Sequence, residues 1–82
     1  MGINYALLRN LTTREMMSAL IRDGFAIDRG DGSHQILYHP DGRRVTVVFH
    51  GAGRTFTRKT LKSMIGQTRW TEDDLRRLKL IR

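Results

Sequence analysis

One histidine of this 82-residue chain stands out as a candidate for proton chemistry: His34, at the end of the polar turn Gly30-Asp31-Gly32-Ser33-His34. Glycine tolerates positive φ and aspartate bonds its own backbone, so such a turn delivers a side chain to the mouth of a sheet. An imidazole there exchanges a proton near neutral pH, which suits a general acid or base. His39 precedes Pro40 and is expected to fix the next turn or touch a phosphate, and His50 to bond a backbone group at a strand end. Residues five apart on a strand face opposite sides, so His34 and His39 do not join His50 in a zinc site. No HExxH, phosphate-binding loop, GxGxxG or GxSxG pattern occurs, and no metal or cofactor is expected. Asp28 and Asp31 are read as turn formers rather than metal-binding acids.

Charge points to the substrate class. Fifteen Lys and Arg against eight Asp and Glu leave +7 at neutral pH. A small surface so charged attracts polyanions, and nucleic acid is the first expectation, although an acidic protein or an anionic lipid surface also satisfies it. Between Arg43 and Gln67 no acidic residue interleaves. Arg43 and Arg44 flank a turn, while Arg58, Lys59 and Lys62 share a helix flank at three- and four-residue spacing. These five are the candidate backbone-binding cations. No apolar run approaches the roughly 20 residues of a membrane span. Ile3 to Leu11 is too short and too polar for a signal peptide, and the absence of cysteine fits a reducing compartment, so a cytoplasmic location is expected.

The elements that must position these groups are legible as periodicities in a single domain, residues 1–82. Residues 1–11 form an apolar arm or short helical turn packed on the domain. Thr12 and Glu15 form a capping box ahead of a helix burying Met16, Met17, Leu20 and Ile21, with Gly24 at its end. Phe25 to Arg29 reads as a first strand, Gln35 to Tyr38 as a second and Arg43 to Phe49 as a third. Asp41-Gly42 as a two-residue hairpin loop would pair Tyr38 with Val45, Ile36 with Val47 and His34 with Phe49. That parity puts Ile36, Tyr38 and His34 on the helix-packed side; Tyr38 is then a core residue, with base stacking as the alternative. Thr57 caps a second helix with Leu61, Met64 and Ile65 inward, and Thr71 opens a C-terminal helix over 71–82. In that last helix Leu75, Leu78 and Ile81 face the body, with Glu72–Arg76 and Asp73–Arg77 ion pairs. Trp70 seals the junction between the two helices. The fold class is α+β.

Several strings resemble one family. Asp23-Gly24-Phe25, Gly32-Ser33-His34, Tyr38-His39-Pro40-Asp41-Gly42-Arg43, Val45-Thr46-Val47 and Thr60-Leu61-Lys62-Ser63-Met64-Ile65 resemble the HicA (YcfA-like) toxins across about residues 12–68. The resemblance implies a double-stranded-RNA-binding-domain-like α-β-β-β-α core, here with an additional C-terminal helix. It implies a ribosome-independent mRNA interferase, the toxin of a type II pair, held inactive by a HicB-type antitoxin. The family's catalytic histidine falls on His34, with Gly32 and Ser33 as its motif neighbours. A non-catalytic RNA-binding module of the same fold is the alternative, in which His34 only contacts phosphate or a 2′-hydroxyl.

Overall fold

Three antiparallel strands, paired in chain order, form a sheet with helices on one face; one helix precedes the strands and two follow them. The computed structural model describes residues 3–31, 33–48, 51 and 53–81. Gly32, Phe49 and His50, each given a role above, lie outside the described residues.

Helix α1 (Thr13–Arg22) starts where the Thr12 side chain accepts the Glu15 N–H while Glu15 accepts the Thr12 N–H. That exchange satisfies two helix-start donors. Met16, Ala19 and Leu20 are buried, whereas Ile21 is 50% exposed and leaves the expected core set. Gly24 ends the helix at φ +105°, and a Cβ there would sit 2.9 Å from His39 Nε2. Only glycine meets both demands.

Strand β1 (Ala26–Asp31) pairs with β2 (His34–Tyr38), which pairs with β3 (Arg44–Val48). The β2–β3 connection is where the expected register fails. His39 N–H bonds to Arg43 C=O (2.9 Å), and Gly42 N–H to His39 C=O (2.9 Å), with Gly42 at φ +98°. Pro40, Asp41 and Gly42 therefore form a three-residue loop, a turn closed by a left-handed glycine. The extra residue shifts the pairs to Leu37↔Val45, Gln35↔Val47, Ile36↔Thr46, Tyr38↔Arg44 and His34↔Val48. A slip of one residue exchanges the two faces of a strand. Leu37 thus joins Val45 and Val47 in the core, while His34, Ile36 and Tyr38 face the open side.

Helix α2 (Arg58–Thr68), capped by Thr57, buries Leu61, Met64 and Ile65. Arg69 then turns left-handed at φ 60° and Trp70, 3% exposed, seals the junction. Helix α3 (Glu72–Arg77) has its own capping box, Thr71 with Asp74, but stops well short of the expected 82. Lys79 takes φ 62° and turns the chain, so Ile81 forms an antiparallel bridge with Leu8. Arg76 pairs with Glu72 and Asp73, and Arg77 with Asp74 and Asp23 instead of Asp73. The N-terminal arm, with a 3-10 turn at Tyr5–Leu7, buries Leu8 and Leu11 in the same core.

Candidate functional site

His34 begins β2 and is exposed on the face of the sheet away from the helices. The expectation that it lies on the apolar side is corrected by the loop register above. Its one described side-chain neighbour at bonding range is Ser33, whose hydroxyl stands 3.5 Å from Nδ1. With Nδ1 turned toward Ser33, Nε2 is the nitrogen that remains for a substrate.

Two open clefts meet at this ring. One is lined by Arg29, His34, Ile36 and Thr46, all on the sheet. The other runs from His34, Thr46 and Val48 across to Lys59, Ser63 and Gln67 of α2. Lys59, Ser63 and Gln67 are spaced by four, so they form one stripe along the helix. That stripe is fixed beside β3 because Gln67 Oε1 accepts the Thr46 N–H at 2.9 Å, which covers an edge-strand donor.

The five expected cations separate into three groups. Lys59 shares the His34 cleft. Arg44 is on the same sheet face, opposite Tyr38, and neither cation has a carboxylate partner among the described side chains. Arg58 donates to the Tyr5 carbonyl, and the Lys62 ammonium lies 5.0 Å from the centre of the Tyr5 ring, so this pair faces the N-terminal arm. Arg43 departs furthest from expectation. Its side chain is 15% exposed, bonded to Asp41 Oδ2 (2.7 Å) and the Thr68 carbonyl (2.7 Å), with Asp23 Oδ2 at 3.3 Å. The guanidinium also lies 5.0 Å from the Phe25 ring centre. With its donors engaged inside the protein, Arg43 has little to offer a phosphate.

Arg43 belongs to a second polar cluster, at the other end of β2. Asp23, its side chain 10% exposed, accepts from Trp70 Nε1 (2.8 Å) and Arg77 (2.8 Å) as well as facing Arg43. Burial alone would raise this carboxyl, but the Trp70 and Arg77 hydrogen bonds and the Arg43 charge outweigh it. They hold the group below the usual carboxylate range. His39 Nε2 donates to the Asp23 carbonyl (2.8 Å), while Nδ1 accepts the Asp41 N–H (3.2 Å). Its ring packs edge-on against Phe25 at 5.1 Å. Of the two roles open to His39, fixing the turn is the one these bonds describe.

Reasoning along the sequence missed Arg29, Thr46, Ser63 and Gln67. Arg29 reaches the His34 face through a β-bulge: Ile27 pairs with Leu37 and Arg29 with Ile36, leaving Asp28 as the additional residue. Simple alternation has no way to count such a residue. Ser63 and Gln67 carry a signal in their spacing from Lys59, once the flank facing β3 is known. No group of three His, Asp or Glu side chains among the described residues is arranged to hold a metal ion. No described helix is long and apolar enough to cross a membrane.

Set against known proteins, residues 13–70 match a family model described as the HicA toxin of bacterial toxin–antitoxin systems. A search of curated proteins gave no match. The matched span runs from the first helical residue of α1 through Trp70, and so takes in the whole sheet, α2, the His34 clefts and all of the Asp23 cluster except Arg77. The chain belongs to the HicA toxin family.

Proposed function

We propose that this toxin is an endoribonuclease that cleaves mRNA independently of the ribosome, with His34 as the proton-transferring group. The observation that carries the reading is the placement of an exposed imidazole where two clefts join, with Arg29 on one side and Lys59 on the other. A phosphodiester laid over the ring would meet Nε2 together with two cations. In that position His34 takes a proton from the attacking oxygen or gives one to the leaving oxygen, a contribution of about 10²–10⁴-fold for a positioned group. Lys59 and Arg29 offset the charge that develops on the phosphoryl oxygens. The Ser33 hydroxyl stands beside Nδ1, and Arg44 takes a phosphate further along the strand.

The HicB-type antitoxin of this reading is an acidic protein that covers the His34 face. The net charge of +7 favours fast association with such a partner.

Incubating single-stranded mRNA with the purified protein, in the presence of a chelator, tests the proposal. Wild type gives fragments, and His34→Ala gives none while keeping its circular dichroism spectrum and melting midpoint. Undiminished cleavage by folded His34→Ala would remove the histidine from the reaction. A salt-sensitive gel shift with no fragments from wild type would leave an RNA-binding module in place of an enzyme.

A further inference from the structure

The register that exposes His34 also exposes a ring. Tyr38 is 39% exposed at the far end of β2 and on the same face. Among the described residues it has no aromatic partner and no cation over its ring, unlike Phe25 and Tyr5. Its cross-strand neighbours are Ala26 on β1, exposed and too small to cover the ring, and Arg44 on β3. The next row along the face is Arg29, Ile36 and Thr46, and the row after that contains His34 and Val48. Four residues at about 3.3 Å each put Tyr38 about 13 Å from His34. An extended polynucleotide crosses that distance within a few nucleotides.

We propose that Tyr38 is the stacking platform for one unpaired base of the RNA, a few nucleotides from the phosphodiester over His34, with Arg44 and Arg29 holding the intervening backbone. This rests on the endoribonuclease reading and adds the class of substrate, a single strand whose bases are splayed onto the sheet. Side chains read RNA most readily where bases are unstacked, and aromatic rings accept any base through its π-face. Charge complementarity suits RNA, whose phosphates beside a stacked base meet Arg44 and Arg29. The exposed ring lies in a row with an arginine and one row from another, rather than in a broad apolar patch. An occupied Tyr38 would set how far the strand extends past the reacting phosphate, and so which phosphate reaches His34.

The test combines Tyr38→Ala and Tyr38→Phe with a cleavable single-stranded oligoribonucleotide scanned with abasic nucleotides. Binding of the same oligonucleotides is measured in the His34→Ala background. An abasic nucleotide keeps its phosphate and loses its base. With wild type, one abasic position raises KM and weakens binding on the order of ten-fold, the scale of one base–aromatic stack. Tyr38→Ala raises KM by a similar factor on intact RNA, keeps kcat at saturation, and becomes indifferent to that abasic position. Tyr38→Phe restores both the affinity and the sensitivity. Equal abasic penalties in wild type and Tyr38→Ala would overturn the proposal while leaving the nuclease intact. So would a Tyr38→Ala variant that handles RNA normally but loses its antitoxin, since the face would then be a protein interface. Failure of wild type to cleave any RNA would strike the endoribonuclease reading first, and the binding measurements would still decide for or against the stack.

Discussion

The two ends of β2 hold a histidine each, and almost everything else about them differs. At the Tyr38 end the following residue, His39, has both ring nitrogens bonded and an aromatic neighbour, inside a cluster that ties α1, the β2–β3 loop, the α2–α3 junction and α3 together. At the other end His34 has, among the described side chains, one distant hydroxyl, with open clefts on both sides. Polar groups inside a fold are paired, because an unpaired one costs the full desolvation penalty. A titratable side chain with no close partner among the described residues, set over a cationic cleft, points to a partner in a ligand. The contrast teaches that the residue type carries less information than the saturation of its hydrogen bonds.

Breaking the saturated end should cost stability and little else. Asp23→Ala leaves Trp70 Nε1 without its acceptor and takes the buried carboxylate from Arg43 and Arg77, which keep Asp41 and Asp74. Loss of one partner from a largely buried charged cluster costs about 3 kcal/mol. Urea denaturation should show the unfolding free energy fall by that amount, whereas cleavage per folded molecule is retained. His39→Ala should cost about 2 kcal/mol, the sum of the part-buried hydrogen bond to the Asp23 carbonyl and an edge-on aromatic contact, the exposed Asp41 N–H turning to water instead. Calorimetry reads it as a drop of roughly 10 °C for a domain of this size.

Acid sharpens the same contrast. Asp23 has its pKa lowered in the folded state, so its contribution to stability is complete above the ordinary value of 3.8. That contribution is lost as pH falls through the lower folded value. Unfolding free energy measured down the acid range should decline, and Asp23→Asn should flatten the decline while lowering the plateau. A variant that kept the full acid slope would remove Asp23 as its source.

The smallest effect belongs to the open end. Lys59→Gln removes one backbone contact under the proposed reading, so log affinity for single-stranded RNA against log salt should lose about 0.7 of its slope. Stability should be unchanged within about 0.5 kcal/mol, as for surface changes generally. Arg43→Gln should do the reverse, destabilising the fold and leaving the salt slope alone. A pair of variants behaving alike would erase the distinction between the ends.

Much of this was legible along the chain because it depends on neighbours in sequence. Thr12 and Glu15 are three apart, Leu61, Met64 and Ile65 follow a helical period, and the order of elements follows from such local signals. Two kinds of feature were not. Register depended on whether Pro40 belongs to the loop, and that single residue decided which face His34, Ile36 and Tyr38 occupy. The Asp23 cluster depended on partners at 20, 47 and 54 residues' separation, Arg43, Trp70 and Arg77, which no local pattern connects. Asp23-Gly24-Phe25 and His39-Pro40-Asp41-Gly42-Arg43 were recognisable as family strings, but their packing role is visible only once the chain closes on itself.

The account turns on His34 and His39 having opposite kinds of role. Cleavage of single-stranded RNA per folded molecule, measured together with the unfolding midpoint for His34→Gln and His39→Gln, tests that directly. The expected result is a His34→Gln protein as stable as wild type and unable to cut, beside a destabilised His39→Gln protein that still cuts. A stable, active His34→Gln protein, or a His39→Gln protein that folds normally and has lost cleavage, would contradict it.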